Sequence, residues 1–263
     1  MGQDNVLLKK ENRIATITIN RPDVRNAMGI DERKLLIELA RDAGEDSDIR
    51  AVIITGAGKA FCSGGDVKTM PERAKKSQVE RKRELLKEGA VIIHQLRTME
   101  KPVIAMVNGA AVGMGLSLAL GCDIRIASDT ARFGAVFSRI GMSTDFGCAY
   151  LLTHLAGTAR AMELLLTGDI IDAGEAEKIG LVNKVVPHDE LEKTTYNLAQ
   201  KLVKGPPIAY GFIKSLIYKS ENMDLLTYLD VEATAQAICS QTKDAMEGVW
   251  AFIEKREAEF KGE

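Results

Sequence analysis

Apolar and polar positions divide the chain into short strand-like runs separated by amphipathic stretches. Residues 13–20 (RIATITIN) alternate with the two-residue period of a half-buried strand. Residues 30–43 predict a helix, with Asp31 and Glu32 in the first turn, where the helix dipole favours acidic side chains. Residues 50–55 (RAVIIT) are continuously apolar after Arg50, as expected of a strand buried on both faces, and run into a long glycine-rich loop at 56–65. Residues 77–98 predict another helix, charged at first and then apolar on one face through Ala90, Ile93 and Leu96. A second buried strand at 102–107, a small-residue turn at 109–115, a helix at 116–121 and a strand at 123–127 follow. Strands alternating with helices predict an α/β fold whose default is parallel strands with right-handed crossovers.

Beyond Phe133 the pattern turns helical. Segments 147–155, 159–167 and 173–179 predict helices, the last stopped by Gly180, and a short strand at 182–186 ends at Pro187. From 189 to 261 the chain reads as about four helical segments, with breaks at 204–207 and 221–222. The expected division is therefore a core at 1–190 and a helical region at 191–263 that packs on that core and on a neighbouring subunit.

Composition narrows the function classes. The 263 residues are 46% hydrophobic and 27% charged, ample for a globular core, and a net charge of −2 argues against a general nucleic-acid binder. No run of ~18 apolar residues predicts a membrane span. Residues 1–10 lack the apolar stretch of a signal peptide, and Met1-Gly2 is followed by Val6 where a myristoylation signal needs Ser or Thr, so a cytoplasmic protein is expected. Cys62, Cys122, Cys148 and Cys239 lack CxxC spacing and are expected as free, mostly buried thiols. His94, His154 and His188 lack ligand spacing, so no metal is expected.

Candidate chemistry centres on the two glycine-rich loops. The turn at 109–115 stands at a predicted helix N-terminus, where backbone N–H groups are unpaired and the dipole is positive, a place suited to negative charge. The GxG of Gly113 and Gly115 does not complete a dinucleotide fingerprint, because Leu118 stands where the third glycine belongs.

Five motifs in order, ITINRPDVRNAM (17–28), AVIITGAGKAFCSGGDVKTM (51–70), KPVIAMVNGAAVGMGLSLALGCDIRIAS (101–128), ARFGAVFSRIGMSTDFG (131–147) and AMELLLTGDIIDAGEAEKIGLVNKVVP (161–187), resemble the crotonase (enoyl-CoA hydratase/isomerase) superfamily over residues 5–261. The resemblance implies a spiral core of ββα units with a C-terminal helical trimerisation region. It also implies acyl-CoA thioester substrates, chemistry through a thioester enolate, no cofactor beyond the CoA of the substrate, and a homotrimer or dimer of trimers. By similarity, the backbone N–H groups of Gly65 and Met114 stabilise the enolate oxygen; removing one such donor typically costs ~3–4 kcal/mol of transition-state stabilisation. Asp66 is expected to cap the loop. The two glutamates of a hydratase in this family map to Ser117 and Phe137, so neither carboxylate is present. The remaining carboxylate is Asp145, where several branches of the family carry an aspartate, and its surroundings are most similar to epoxyphenylacetyl-CoA isomerases. Apolar neighbours Met142, Phe146 and Tyr150 are expected to raise its pKa, although capping a helix at 146–155 is an alternative role.

The activity implied is an isomerase that shifts a proton with Asp145 as acid/base. An atypical hydratase, a hydrolase or dehalogenase, and a non-catalytic CoA-thioester binder are the alternatives. A dehalogenase would want a histidine at Ala90, with His94 one turn on. For CoA, the resemblance assigns Arg25 and Lys68 to the nucleotide, Ala60 and Ser63 to adenine and pantetheine, and Phe260 and Lys261 to the CoA of a neighbouring subunit. Phe137, Met70 and Met142 would supply apolar walls, and Glu88 is a candidate second carboxylate. The sequence does not choose the acyl group.

Overall fold

The computed structural model describes residues 5–263; the reading of Met1-Gly2 lies outside them. The chain begins with β1 (Val6–Glu11), β2 (Ile14–Ile19), α1 (Ile30–Glu45), β3 (Ala51–Gly56) and β4 (Ala60–Cys62). Short helices α2 (Met70–Ala74) and α3 (Gln78–Leu85) lead through a π-helical turn, Leu86–Ala90, into α4 (Val91–Thr98). Next come β5 (Val103–Val107), β6 (Ala110–Val112), α5 (Met114–Gly121), β7 (Ile124–Ser128) and β8 (Arg132–Gly134). α6 (Cys148–Thr167), β9 (Ile170–Asp172), α7 (Ala173–Lys178) and β10 (Lys184–Val186) follow. The chain closes with α8 (Leu191–Val203), α9 (Pro207–Ser220), α10 (Leu225–Ser240) and α11 (Lys243–Glu254).

Two sheets result. The larger has the order β1-β2-β3-β5-β7-β10, parallel except for β1; the smaller has the order β4-β6-β8-β9, parallel except for β9. Each of the pairs β3–β4, β5–β6 and β7–β8 sends its first strand to the large sheet and its second to the small one; helices cross back to the large sheet after the first two, and α6 leads from the third to β9 of the small sheet. This is the ββα repeat that the resemblance implies. The continuous apolar runs reflect burial on both faces. Along β3, Val52 and Ile54 join the main core, whereas Ala51 and Ile53 face a second core closed by Leu191, Ala199 and Val203 of α8.

One difference from the sequence expectation matters for the site. The loops at 56–65 and 109–115 each contain a three-residue strand, β4 and β6, too short to show a period. The helices expected at 147–155 and 159–167 are both present, as the two halves of α6 separated by Gly157, whose backbone (φ 77°, ψ 163°) is not helical. At the C-terminus the helical reading to residue 261 is wrong: α11 ends when Lys255 adopts a left-handed conformation (φ 53°). The last residues instead run back along α11, with Lys261 and Gly262 N–H donating to Asp244 (2.7 and 2.8 Å).

Candidate active site

The two glycine loops meet. A methyl group built on Gly64 (φ 103°) would lie 3.0 Å from the Val112 carbonyl and 3.7 Å from the Met114 nitrogen. Gly65 is held by a parallel bridge to Met28, in which Met28 N–H donates to Gly64 (2.9 Å) and Asp66 N–H donates to Met28 (3.1 Å). That pattern uses the N–H groups of Met28 and Asp66 and turns Gly65's own N–H away from Met28. Met114 is the first residue of α5, ahead of the bond from Ser117 N–H to Gly113 (3.1 Å), so its N–H is one of those the helix leaves unpaired. Gly113, with φ 55° and ψ −123°, makes the turn that aims it.

Close backbone approach sets this geometry. A methyl group on Gly115 would sit 2.0 Å from the Cys62 carbonyl oxygen, so α5 rests on the end of β4 with no room for a side chain. Gly115→Ala is expected to cost at least roughly 2 kcal/mol of stability, because two backbone segments must separate, and to slow turnover by displacing the Met114 N–H. Urea unfolding alongside a steady-state assay checks both effects. Asn26, which the sequence reading did not single out, braces the first loop. It is fully buried, its Nδ2 donates to Ala57 (2.9 Å) and Ala60 (2.7 Å), and its Oδ1 accepts from Arg21 N–H (2.9 Å). Asp66 accepts from Lys68 N–H (3.1 Å) as a cap and also pairs with Arg21 (3.3 Å), as expected of a structural carboxylate.

Asp145 stands beside the second loop. Its carbonyl accepts from the Ser117 hydroxyl (3.2 Å), one turn along α5 from Met114, and from Cys148 N–H (3.0 Å). The helix-cap role is overturned: α6 starts at Cys148 with Gly147 as its cap, and Phe146 (φ 50°) and Gly147 (φ 71°) lie between. A left-handed phenylalanine is a strained choice, held here by packing: a methyl group on Gly89 of the π-helical turn would lie 2.8 Å from the Phe146 ring. Of the expected apolar neighbours, Phe146 is buried, whereas Met142 and Tyr150 are exposed. Burial pushes the Asp145 carboxyl above its usual range, opposed by the charges of Arg33, Arg73 and Arg81. Its Oδ1 is sealed from solvent without a hydrogen-bond partner.

The other predicted residues divide between the loops and the far end of the molecule. The Arg25 carbonyl accepts from Ser63 N–H (3.0 Å), and the Ser63 hydroxyl donates to Val24 (3.3 Å), so Arg25, Ser63 and Lys68 gather around the Gly65 loop with both cations exposed. Ala60 is buried in β4 rather than open to a ligand. Buried Phe137 lays its ring edge over Gly113, 4.0 Å from a methyl group built there. The Phe260 and Lys261 carbonyls accept from Arg50 (2.8 Å each), which precedes β3, at the opposite end of that strand from the Gly65 loop. They take no part in the site of their own chain. Glu88 points inward but is committed to Arg33 (2.5 Å) and Arg73 (3.7 Å), so it is not a free base. His94 is exposed and Ala90 carries no polar group, which leaves the dehalogenase arrangement without its histidine.

Cys62, Cys122 and Cys148 are buried free thiols and Cys239 is half-buried; burial pushes the first two up to about 12 and Cys148 to about 11. Among the described residues there is no group of three or more His, Cys, Asp or Glu able to hold a metal ion, and no helix long and apolar enough to cross a membrane. A separate cavity of about 420 Å³ between α4, α6 and α9 contains none of the predicted site residues. Its polar centre is satisfied internally, with Asp123 bound to Lys214 (2.7 Å) and Tyr218 (2.6 Å).

Residues 9–263 match the model of a family described as enoyl-CoA hydratase/isomerase. The chain belongs to that family. It is 41% identical to a short-chain-enoyl-CoA hydratase of Clostridium acetobutylicum, covering 98% of each chain. It is 36% identical to the 1,2-epoxyphenylacetyl-CoA isomerase of Escherichia coli, again covering 98% of each. The crystal structure of an enoyl-CoA hydratase from Bacillus anthracis superposes with a TM-score of 0.90 at 34% identity, covering 98% of this chain and all of that one. Membership in the enoyl-CoA hydratase/isomerase family is consistent with an acyl-CoA thioester substrate.

Proposed function

We propose that this protein is an acyl-CoA isomerase in which Asp145 shuttles a proton across an enolate held by the Gly65 and Met114 N–H groups. The observation that carries the reading is the carboxylate inventory. Ser117 and Phe137 stand where the resemblance places the two glutamates, and Asp145 is the carboxylate beside the oxyanion loops that is not already paired. In the reaction, the Asp145 carboxylate takes a proton from the carbon next to the thioester. The negative charge moves onto the thioester oxygen, where two fixed donors and the dipole of α5 stabilise it. Protonated Asp145 then returns the proton to a different carbon, and the double bond has moved with no net gain or loss of atoms. Exposed Arg25 and Lys68 supply cations for the CoA phosphates, and Phe137 walls the acyl group. Exposed apolar side chains on the last helices, among them Leu226, Trp250 and Phe252, fit burial in a homotrimer or dimer of trimers, which would bring Phe260 and Lys261 to a neighbour's CoA.

The test is product analysis in ¹⁸O-labelled water with a 3-enoyl-CoA and crotonyl-CoA. Migration of the double bond in the 3-enoyl substrate without ¹⁸O in the product supports the isomerase. Rapid ¹⁸O incorporation into crotonyl-CoA as a hydroxyl group, with no migration, would establish a hydratase instead.

A further inference from the structure

Among the described residues, four buried side-chain atoms lack a hydrogen-bond partner: Arg33 Nη2, Arg73 Nε, Arg73 Nη2 and Asp145 Oδ1. They belong to three residues connected through one turn: Arg33 and Arg73 both approach Glu88, and the adjacent Gly89 packs against Phe146, the residue after Asp145. Buried polar groups without partners are uncommon, and their concentration at one place calls for a physical reason. Both cations face acidic partners. Arg33, almost fully buried on α1, donates from Nε to Gly29 (2.8 Å) and from Nη1 to Glu88 (2.5 Å). Arg73 of α2 approaches Glu88 (3.7 Å) and Glu84 (3.8 Å). Glu88 sits in the π-helical turn whose Gly89 supports Phe146, so one irregular turn fixes both the arginines and the residue next to Asp145. Such turns often mark functional sites. Of the two carboxyl oxygens of Asp145, Oδ1 is buried without a partner, and Oδ2 is not among the buried unpaired atoms.

We propose that Arg33 and Arg73, anchored on Glu88, are positioning residues that form a buried counter-charge for Asp145 and leave Oδ2 free for the acyl group. The proposal rests on Asp145 being the base. Burial beside the apolar Phe146 disfavours the ionised carboxylate that abstracts a proton; the arginines oppose that effect without a hydrogen bond to Oδ1. The charged groups around Asp145 are Arg33 from α1, Arg73 from α2, Arg81 and Glu84 from α3, and Glu88 from the π-helical turn; Cys148 of α6 stays a neutral thiol.

The test is the pH dependence of solvent-deuterium exchange into a bound acyl-CoA, measured for the wild type, Arg33→Gln, Arg33→Lys and the double variant Arg33→Gln/Glu88→Gln. The double variant removes both partners and so leaves Arg33's buried counter-ion uncharged as well, which protects the fold. Removing a positive neighbour raises the carboxyl pKa. The exchange profile of Arg33→Gln is therefore expected to move alkaline by about one pH unit, and that of the double variant by less, because Glu88→Gln removes a negative neighbour at the same time. Exchange below the inflection then falls about tenfold and recovers toward the alkaline plateau. Arg33→Lys is expected to return the inflection toward the wild-type position, with acyl-CoA affinity unchanged throughout. A uniform loss of rate with the inflection unmoved, in a protein whose exchange still depends on Asp145, would overturn the counter-charge alone. Exchange that persists in Asp145→Asn would overturn the assignment of the base and this proposal with it.

Discussion

Exchanging Asp145 for asparagine is expected to slow double-bond migration by about 10²–10⁴-fold, the range that a positioned acid/base contributes. The substitution is nearly isosteric. The bonds from Ser117 and Cys148 go to the main-chain carbonyl of residue 145, so they persist in the variant. An amide oxygen can still face Arg33 and Arg73, but an amide cannot take up a proton at neutral pH. Acyl-CoA affinity, which depends on the oxyanion donors and the CoA contacts, should survive. Steady-state kinetics with calorimetric binding separates the two: lost turnover with retained affinity is expected, and turnover within tenfold of wild type would assign the proton transfer to another group.

Met114→Pro is expected to lower turnover by roughly 10²–10³-fold relative to Met114→Ala, equivalent to ~3–4 kcal/mol of transition-state stabilisation. Proline removes the backbone N–H and little else at this position. It is favoured as the first residue of a helix, which Met114 is, and the residue before it is a glycine whose φ 55° and ψ −123° mirror the extended conformation that a following proline requires. Met114 is buried, so alanine is the reference that accounts for the lost side chain. Equal rates for the two variants would show that the Met114 N–H does not stabilise the reaction. Thermal melting of both confirms that they fold.

Much of this site was legible in the chain. Loops 56–65 and 109–115 announced themselves by glycine content, and the structure joins them at Gly64 and Met114. The strands buried on both faces were visible as continuous apolar runs, because β3 and β5 have cores on either side. What stayed hidden was the small sheet: β4 and β6 are three residues each, and pairing between distant segments decides them. The placement of Asp145 was misread for a local reason. A left-handed Phe146 has no sequence signal, since its conformation is imposed by packing on Gly89 of another segment. Arg33 left a readable trace. It shares the buried stripe of α1 with Leu36, Ala40 and Ala43, and a cation on that face required a buried partner, which is Glu88. The end of α11 depended on Lys255 turning left-handed and on Asp244 catching the tail, neither of which periodicity reveals.

The central claim is that a thioester enolate forms between the two glycine loops with Asp145 as its base. Incubating wild type and Asp145→Asn with an acyl-CoA that has no double bond to move, in D₂O, and weighing the recovered thioester tests it most directly. Deuterium is expected at the carbon next to the thioester with wild type and none above background with Asp145→Asn. Deuterium incorporated equally by both proteins, or by neither while the thioester binds, would contradict it.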